Sequence, residues 1–336
     1  MTTAPRVGVA GVGSLGFHHA RILRDLPGIV FRGAYESNAE RAGFVGKELG
    51  IRMYDTFDAL LADVDAVSVV VPTPAHFAVA RDAIAAGKHV LIEKPITATL
   101  AEADELLALA RERGVIVQIG HIERFNRAIR AAMPHVDHPL FLDSDRLAPF
   151  NPRGSDVAVV LDLMIHDIDL LLVLVRAHVR DVAAAGIPVL TPFVDIANAR
   201  ITFANGAVAT ITASRVSRER MRKLRIFQRN GYLSLDLAAG TAEVYRLRRD
   251  VDLATVARQA QPLEAFVERE VVEAPDGEPL RLELEHFVAA IQGVAPVAVT
   301  GEEGREALAV ALRIVGDIER TLPSVAALRH DGAPRA

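Results

Sequence analysis

The sequence predicts an α/β fold: an N-terminal doubly wound domain with a parallel sheet, then a C-terminal α/β domain with an open, mostly antiparallel sheet. Three observations carry this. Continuous β-branched runs alternate with helical patterns over the first third, the signature of a parallel sheet covered on both faces. A glycine-rich G-x-G-x-x-G joins the first such run to the first helix. After His121 the rhythm changes to paired strand-like runs separated by Asn-Gly turns.

In order, Arg6 to Ala10 reads as a strand and Leu15 to Leu26 as a helix. Ile29 to Tyr35 is a strand and Glu40 to Leu49 a helix; Ala66 to Val71 is a strand and Phe77 to Ala86 a helix. His89 to Ile92, the helix Leu100 to Arg113 with Gly114 as its stop, and Val115 to Gly120 complete the domain. Asp156 to Val175 reads as one long apolar helix. The stretch from Val182 to Val244 is strand-like. Asn205-Gly206 joins Ala197 to Phe203 with Ala207 to Ala213, and Asn230-Gly231 joins Leu224 to Phe227 with Tyr232 to Leu237. Glu283 to Gln292 and Glu303 to Arg320 read as helices. The expected division is residues 1–122, residues 123–323 and a flexible tail over 324–336.

Composition narrows the function. The 336 residues carry a net charge of −5 and contain no cysteine. A mildly acidic chain lacks the concentrated positive charge of a general nucleic-acid binder. Without cysteine there are no disulfides, zinc thiolates, iron–sulfur clusters or thiol nucleophile. The most apolar stretch, Val157 to Val175, contains Asp162, His166, Asp167 and Asp169, which argues against a membrane span. Glycines break the apolar run after Arg6, so it is not a signal-peptide core, and the expectation is a soluble cytoplasmic protein.

Gly11-Val12-Gly13-Ser14-Leu15-Gly16 lies where a dinucleotide motif must lie, after a strand and before a helix. Gly11 permits the tight turn, Gly13 the close approach of a pyrophosphate, and Gly16 helix–strand packing. Unpaired N–H groups at the helix start, Ser14 and Leu15 included, suit a phosphate. Glu36, at the end of the second strand, is placed to accept hydrogen bonds from ribose hydroxyls, which favours NAD over NADP. The turns after the next two strands, with Pro72, Thr73 and His76 in one and Glu93 and Lys94 in the other, are expected to line the same crevice. Lys94 is the only cation in those two turns.

Asp162, His166 and Asp169 fall at i, i+4 and i+7, on a stripe about 60° wide of an otherwise apolar helix. An imidazole beside a carboxylate suits proton transfer near neutral pH. The same pattern also fits a satisfied core histidine bonded to Asp162 or Asp169. No complete metal-ligand set is visible, and no metal is expected.

Together, the glycine motif followed by His19-Ala20-Arg21, the acidic strand end, Glu93-Lys94-Pro95, Asp162-x-x-x-His166 and the late Glu283-Leu284-Glu285-His286-Phe287 resemble the Gfo/Idh/MocA oxidoreductases over nearly the whole chain. The resemblance implies a Rossmann domain and a C-terminal sheet domain that forms a homodimer or homotetramer. It implies NAD(P)-dependent oxidation or reduction of a sugar or cyclitol carbon. Lys94, Asp162 and His166 match the catalytic trio, and the Lys94–Pro95 peptide is expected to be cis. Within the family, Gly120-His121-Ile122-Glu123-Arg124-Phe125-Asn126 and Leu161 to Asp169 resemble the UDP-N-acetylglucosamine 3-dehydrogenases, which form a 3-keto sugar. That group carries proline after the asparagine, whereas this chain has Arg127.

The expected activity is therefore hydride transfer from a sugar hydroxyl carbon, with C3 of UDP-N-acetylglucosamine the first candidate. Arg124 and Asn126 are the expected substrate contacts beside Asp162 and His166. The basic stretch from Arg215 to Arg229 reads equally as a diphosphate site or as an interface strand. His166 is assigned as base and Lys94 as the polarising cation; the reverse, with a neutral Lys94 as base, stays open. The alternatives are a dehydrogenase of a free sugar or inositol and a non-catalytic NAD-binding regulator.

Overall fold

In the computed structural model, which describes residues 4–151, 157–248, 251 and 265–321, the first strand and helix flank the glycine turn. β1 is Arg6–Ala10 and α1 is Ser14–Arg24. They are followed by β2 (Val30–Tyr35), α2 (Ala39–Leu49), β3 (Met53–Tyr54), α3 (Phe57–Asp63) and β4 (Ala66–Val69). Next come α4 (Thr73–Ala85), β5 (His89–Glu93), α5 (Leu100–Arg113) and β6 (Val117–Gly120). The six strands pair in parallel in the order β3-β2-β1-β4-β5-β6. Strand order reverses at β1 and β4, and a doubly wound sheet opens its ligand crevice at the carboxyl ends there.

Local chemistry explains most boundaries. Asn38 caps α2 by accepting from Arg41 N–H, and Thr99 with Glu102 forms a reciprocal capping box on α5. Gly114, at φ 64°, ends α5. α4 starts four residues before the expected Phe77, because Pro74 in its first turn needs no N–H partner. The short β3 and α3 were not anticipated; two paired residues carry no readable alternation.

Contacts divide the chain after Ile122, after Asp276 and after Ala309. Residues 277–309 therefore return to the first unit, where the sequence reading placed everything from 123 to 323 in the second. The reason is hydrophobic: α8 (Pro279–Ile291) buries Leu280, Leu284, Phe287 and Val288 in one core with Val7, Val9 and Leu23. The expected tail over 324–336 lies outside the described residues.

The second unit contains α6 (Arg127–Ala132), β7 (Phe141–Leu147), a π-helical turn (Val160–Met164) and α7 (Ile165–Val175). Seven further strands follow: β8 (Val179–Ile187), β9 (Ile196–Phe203), β10 (Val208–Ser214), β11 (Met221–Gln228), β12 (Gly231–Asp236), β13 (Thr241–Leu247) and β14 (Val267–Val272). They form an eight-stranded sheet in the order β14-β13-β12-β11-β7-β10-β9-β8. Every pairing is antiparallel except β7 with β10. α9 (Gly301–Thr321) begins in the first unit and ends in the second.

The central strands of this sheet alternate in burial. Leu142, Ile226, Leu233 and Val244 are buried, and α6 packs on β12 and β13 and α7 on β7. The opposite face carries a cross-strand row: Phe141, Phe227, Tyr232 and Tyr245, with ring centroids 5.8, 5.4 and 4.4 Å apart. Among the described residues no helix is long and apolar enough to cross a membrane.

Candidate functional site

The glycine turn opens a cavity of ≈ 840 Å³ at the carboxyl ends of β1, β2, β4 and β5. Every residue expected at the cofactor lines it except Gly16. The three glycines have three different reasons. Gly11 has φ +86°, a conformation that L side chains rarely adopt. A Cβ on Gly13 would meet nothing within 4 Å, so the turn leaves open space above the start of α1. A Cβ on Gly16 would lie 2.0 Å from the Gly11 carbonyl oxygen, so this position serves packing. α1 has no side-chain cap and no acidic residue in its first turn, leaving its N-terminal dipole available to an anion. These features fit a dinucleotide.

Glu36 is held from both sides. Val12 N–H donates to one carboxylate oxygen at 2.9 Å and Asn38 N–H to the other at 3.0 Å. Arg41, the first arginine after Glu36 in the sequence, also lines the cavity. Its guanidinium donates to the Val12 and Gly13 carbonyls, both at 2.8 Å, and packs over the rings of Phe17 and Phe44. Arg41 therefore buttresses the glycine turn.

At the other end, the Lys94–Pro95 peptide is cis, as the resemblance implied. His76 Nδ1 lies 2.8 Å from the Pro95 carbonyl oxygen and Nε2 lies 2.9 Å from that of Val71. The imidazole thus ties together the turns after β4 and β5, a wall-building role beside its place in the lining. Burial pushes its pKa down against those two carbonyls. A neutral ring has one N–H, so it donates to one of the two at a time.

In the second unit, α7 and the π turn sort their acids. Asp167 accepts from Arg146 Nε at 2.6 Å and from Ser144 Oγ at 3.0 Å. Asp169 accepts from Arg124 at 2.9 and 2.6 Å in a two-pronged ion pair. Asp167 and Asp169 are buried, whereas Asp162 and His166 are half-buried. The long helix of the sequence reading is not uniform: Asp162 lies in the π turn and His166 in the α-helix that follows. The even 100° step behind the expected stripe does not apply across that junction, and π turns are frequent at functional sites. Asp169 leaves the stripe by pairing with Arg124.

Comparison with known proteins now decides the family. Residues 5–121 match the oxidoreductase family with an NAD-binding Rossmann fold, and residues 118–234 match the GFO/IDH/MocA C-terminal domain. The chain is 42% identical over 320 residues to a UDP-N-acetylglucosamine 3-dehydrogenase of Acidithiobacillus ferrooxidans, covering 94% of this chain and 98% of that one. The chain belongs to the Gfo/Idh/MocA oxidoreductase family. A solved structure of that same dehydrogenase superposes with a TM-score of 0.86, covering 95% of this chain and 99% of that one. A scyllo-inositol 2-dehydrogenase (NAD(+)) of Bacillus subtilis is 30% identical over 63% of this chain and 68% of its own length.

As a member of this family, the protein is an NAD-binding oxidoreductase with a Rossmann domain and a mostly antiparallel C-terminal sheet. The two positions expected to contact substrate carry structural bonds: Arg124 pairs with Asp169, while Asn126 caps α6 and donates to Glu123 and to the Leu237 carbonyl, both at 2.9 Å. The basic stretch is sorted by strand parity. Arg215 is buried against Asp195, and Arg225 pairs with Asp143 on the aromatic face. Arg222 shares the helix-covered face with Leu224 and reaches Glu123 at 3.5 Å. Sequence reasoning missed Glu123, Arg146 and Asp167 as one buried ion cluster. It also gave no role to His19 beyond the motif. A lone arginine at a strand's buried parity is the signal that locates such a cluster.

Proposed function

We propose that this protein is an NAD-dependent dehydrogenase that oxidises the 3-hydroxyl carbon of UDP-N-acetylglucosamine to a ketone. The relative at 42% identity over 94% of the chain carries the reading, supported by Lys94, Asp162 and His166 in their family motifs. NAD, when bound, accepts the hydride. His166 removes the hydroxyl proton, Asp162 orients the imidazole, and Lys94 donates positive charge to the oxygen as it becomes a carbonyl. Gly13, Ser14 and the start of α1 hold the pyrophosphate, and Glu36 accepts from the ribose. The Glu36 carboxylate, fixed by two backbone N–H groups, repels a 2′-phosphate, so NAD is preferred over NADP.

One assay tests the substrate and cofactor together: NADH or NADPH formation with UDP-N-acetylglucosamine, free N-acetylglucosamine, glucose and myo-inositol. The expected result is turnover with the nucleotide sugar and NAD, with kcat/KM at least about tenfold lower with NADP. Turnover with inositol alone replaces this reading with that of an inositol dehydrogenase. NAD binding without turnover of any substrate makes the protein a regulator.

We also propose a homo-oligomer that covers the aromatic face of the C-terminal sheet in the cytoplasm. The row of Phe141, Phe227, Tyr232 and Tyr245 supports it, since aromatic side chains are enriched at such interfaces. Sedimentation should show a dimer or tetramer that Tyr232→Glu dissociates; a monomeric native protein removes the proposal.

A further inference from the structure

The geometry points to His19 as a positioning residue for the lysine end of the cofactor cavity: it holds the Glu93 carboxylate ionised and turned toward the Lys94 backbone, so that the Lys94 side chain works as an ammonium and not as a base. This rests on the reading of Lys94 as the group that polarises the substrate oxygen.

His19 lies on α1 and its side chain is 0% exposed. Its Nδ1 is 2.8 Å from Ser68 Oγ on β4, and its Nε2 is 3.1 Å from Glu93 Oε1 at the end of β5. An ionised carboxylate only accepts, so Nε2 carries the hydrogen and donates. In the neutral ring Nδ1 then accepts, and the Ser68 hydroxyl is its donor. The second carboxylate oxygen of Glu93 accepts from Lys94 N–H at 3.3 Å. One helix and two strands thus converge on a single buried anion. β6 adds the last wall: Gly120 pairs with Glu93, and a Cβ there would lie 2.9 Å from Glu93 Oε1. That position is glycine because the carboxylate occupies the space.

The charge state follows from the same contacts. Burial raises the Glu93 carboxyl pKa, but the hydrogen bond from His19, with the charge and backbone N–H of Lys94, outweighs it and leaves the pKa lowered. Titratable groups that face Glu93 include His19 from α1, His76 from α4 and Lys94 at its own strand end. A buried carboxylate is expensive, and an apolar residue would pack there at less cost. What the anion supplies is a field on Lys94. An opposite charge nearby favours the ammonium form, which leaves the proton-accepting role to His166.

The experiment compares pH profiles of kcat/KM for the native enzyme, His19→Leu and His19→Gln. In His19→Leu the Glu93 carboxylate loses its imidazole donor and takes up a proton more readily, the Lys94 ammonium loses partner charge, and the alkaline limb moves down by about one pH unit. His19→Gln carries an amide N–H in reach of the Nε2 position and returns the limb to its native place. A His19→Leu enzyme that is slower at every pH with an unshifted limb overturns the proposal. Ring ¹⁵N spectra of the native protein, with His19 assigned by its loss in His19→Gln, need neither turnover nor a folded leucine variant. They should show a hydrogen on Nε2 near neutral pH; an Nε2 without hydrogen overturns the proposal. If no sugar yields NADH, the functional reading falls while the ring measurement still decides the role of His19.

Discussion

His166→Ala should lower kcat by about 10²- to 10⁴-fold, the usual contribution of a positioned acid–base group, and leave the dissociation constant for NADH unchanged. The physical reason is a separation of parts. The cavity that fits the dinucleotide is built from β1, β2, β4, β5 and their turns in the first unit, while His166 stands on α7 in the second. A truncation at residue 166 removes an imidazole from a half-buried position and leaves Asp167 and Asp169 in their own ion pairs. Steady-state rates and a fluorescence titration with NADH check this. Equal loss of turnover and cofactor affinity would contradict proton transfer by this residue.

The second large effect is on stability. Arg146 is a guanidinium with 3% side-chain exposure that holds Glu123 at 2.8 Å and Asp167 at 2.6 Å, themselves 7% and 2% exposed. Burial lowers the pKa of this guanidinium, but the charges and hydrogen bonds of Asp167 and Glu123 more than reverse it, so Arg146 stays charged. Arg146→Ala strands two buried carboxylates. Glu123 keeps the Asn126 amide at 2.9 Å and the 3.5 Å contact with Arg222, and Asp167 keeps the Ser144 hydroxyl, but neither regains a buried cation, and the expected loss is about 3–5 kcal/mol. A urea unfolding curve would show a lower midpoint with an unchanged slope. The sign of the pH dependence follows: acid neutralises the stranded carboxylates, so the gap from the native protein narrows as pH falls. A change below about 1 kcal/mol would mean that the cluster behaves as an exposed ion pair.

That cluster marks where reading residues in a line runs short. Along β7, Phe-Leu-Asp-Ser-Asp-Arg-Leu shows little hydrophobic alternation, because two of its three buried positions are Ser144 and Arg146. Their burial is affordable only because Asp167 and Glu123 arrive from other elements, and no local pattern announces a partner 21 or 23 residues away. The glycine turn is the opposite case. The positive φ of Gly11 and the crowding of Gly16 by the Gly11 carbonyl arise within a strand–turn–helix unit, so motif and geometry coincide. Glu36 is intermediate: its position at a strand end was legible, but its two backbone donors and the bonds of Arg41 to the glycine turn were not.

α8 makes the same point for packing. Its apolar face is visible in Leu280, Leu284, Phe287 and Val288, yet periodicity names a buried face without naming the core that buries it. The helix joins the core of the first unit, against the expectation drawn from chain order.

By itself the sequence determined what short range controls: most strands and helices of the first unit, the glycine turn, the Gly114 stop of α5 and the motifs that mark the family. These depend on backbone geometry and side chains within a few residues of one another. Only the tertiary structure decided which acids on one helix are tied up in ion pairs, which arginines of the basic stretch face the core, and that His19, Ser68 and Glu93 meet. Those outcomes depend on groups brought together from distant positions, where the cost of burying each charge is set by its neighbour in space and not by its neighbour in the chain.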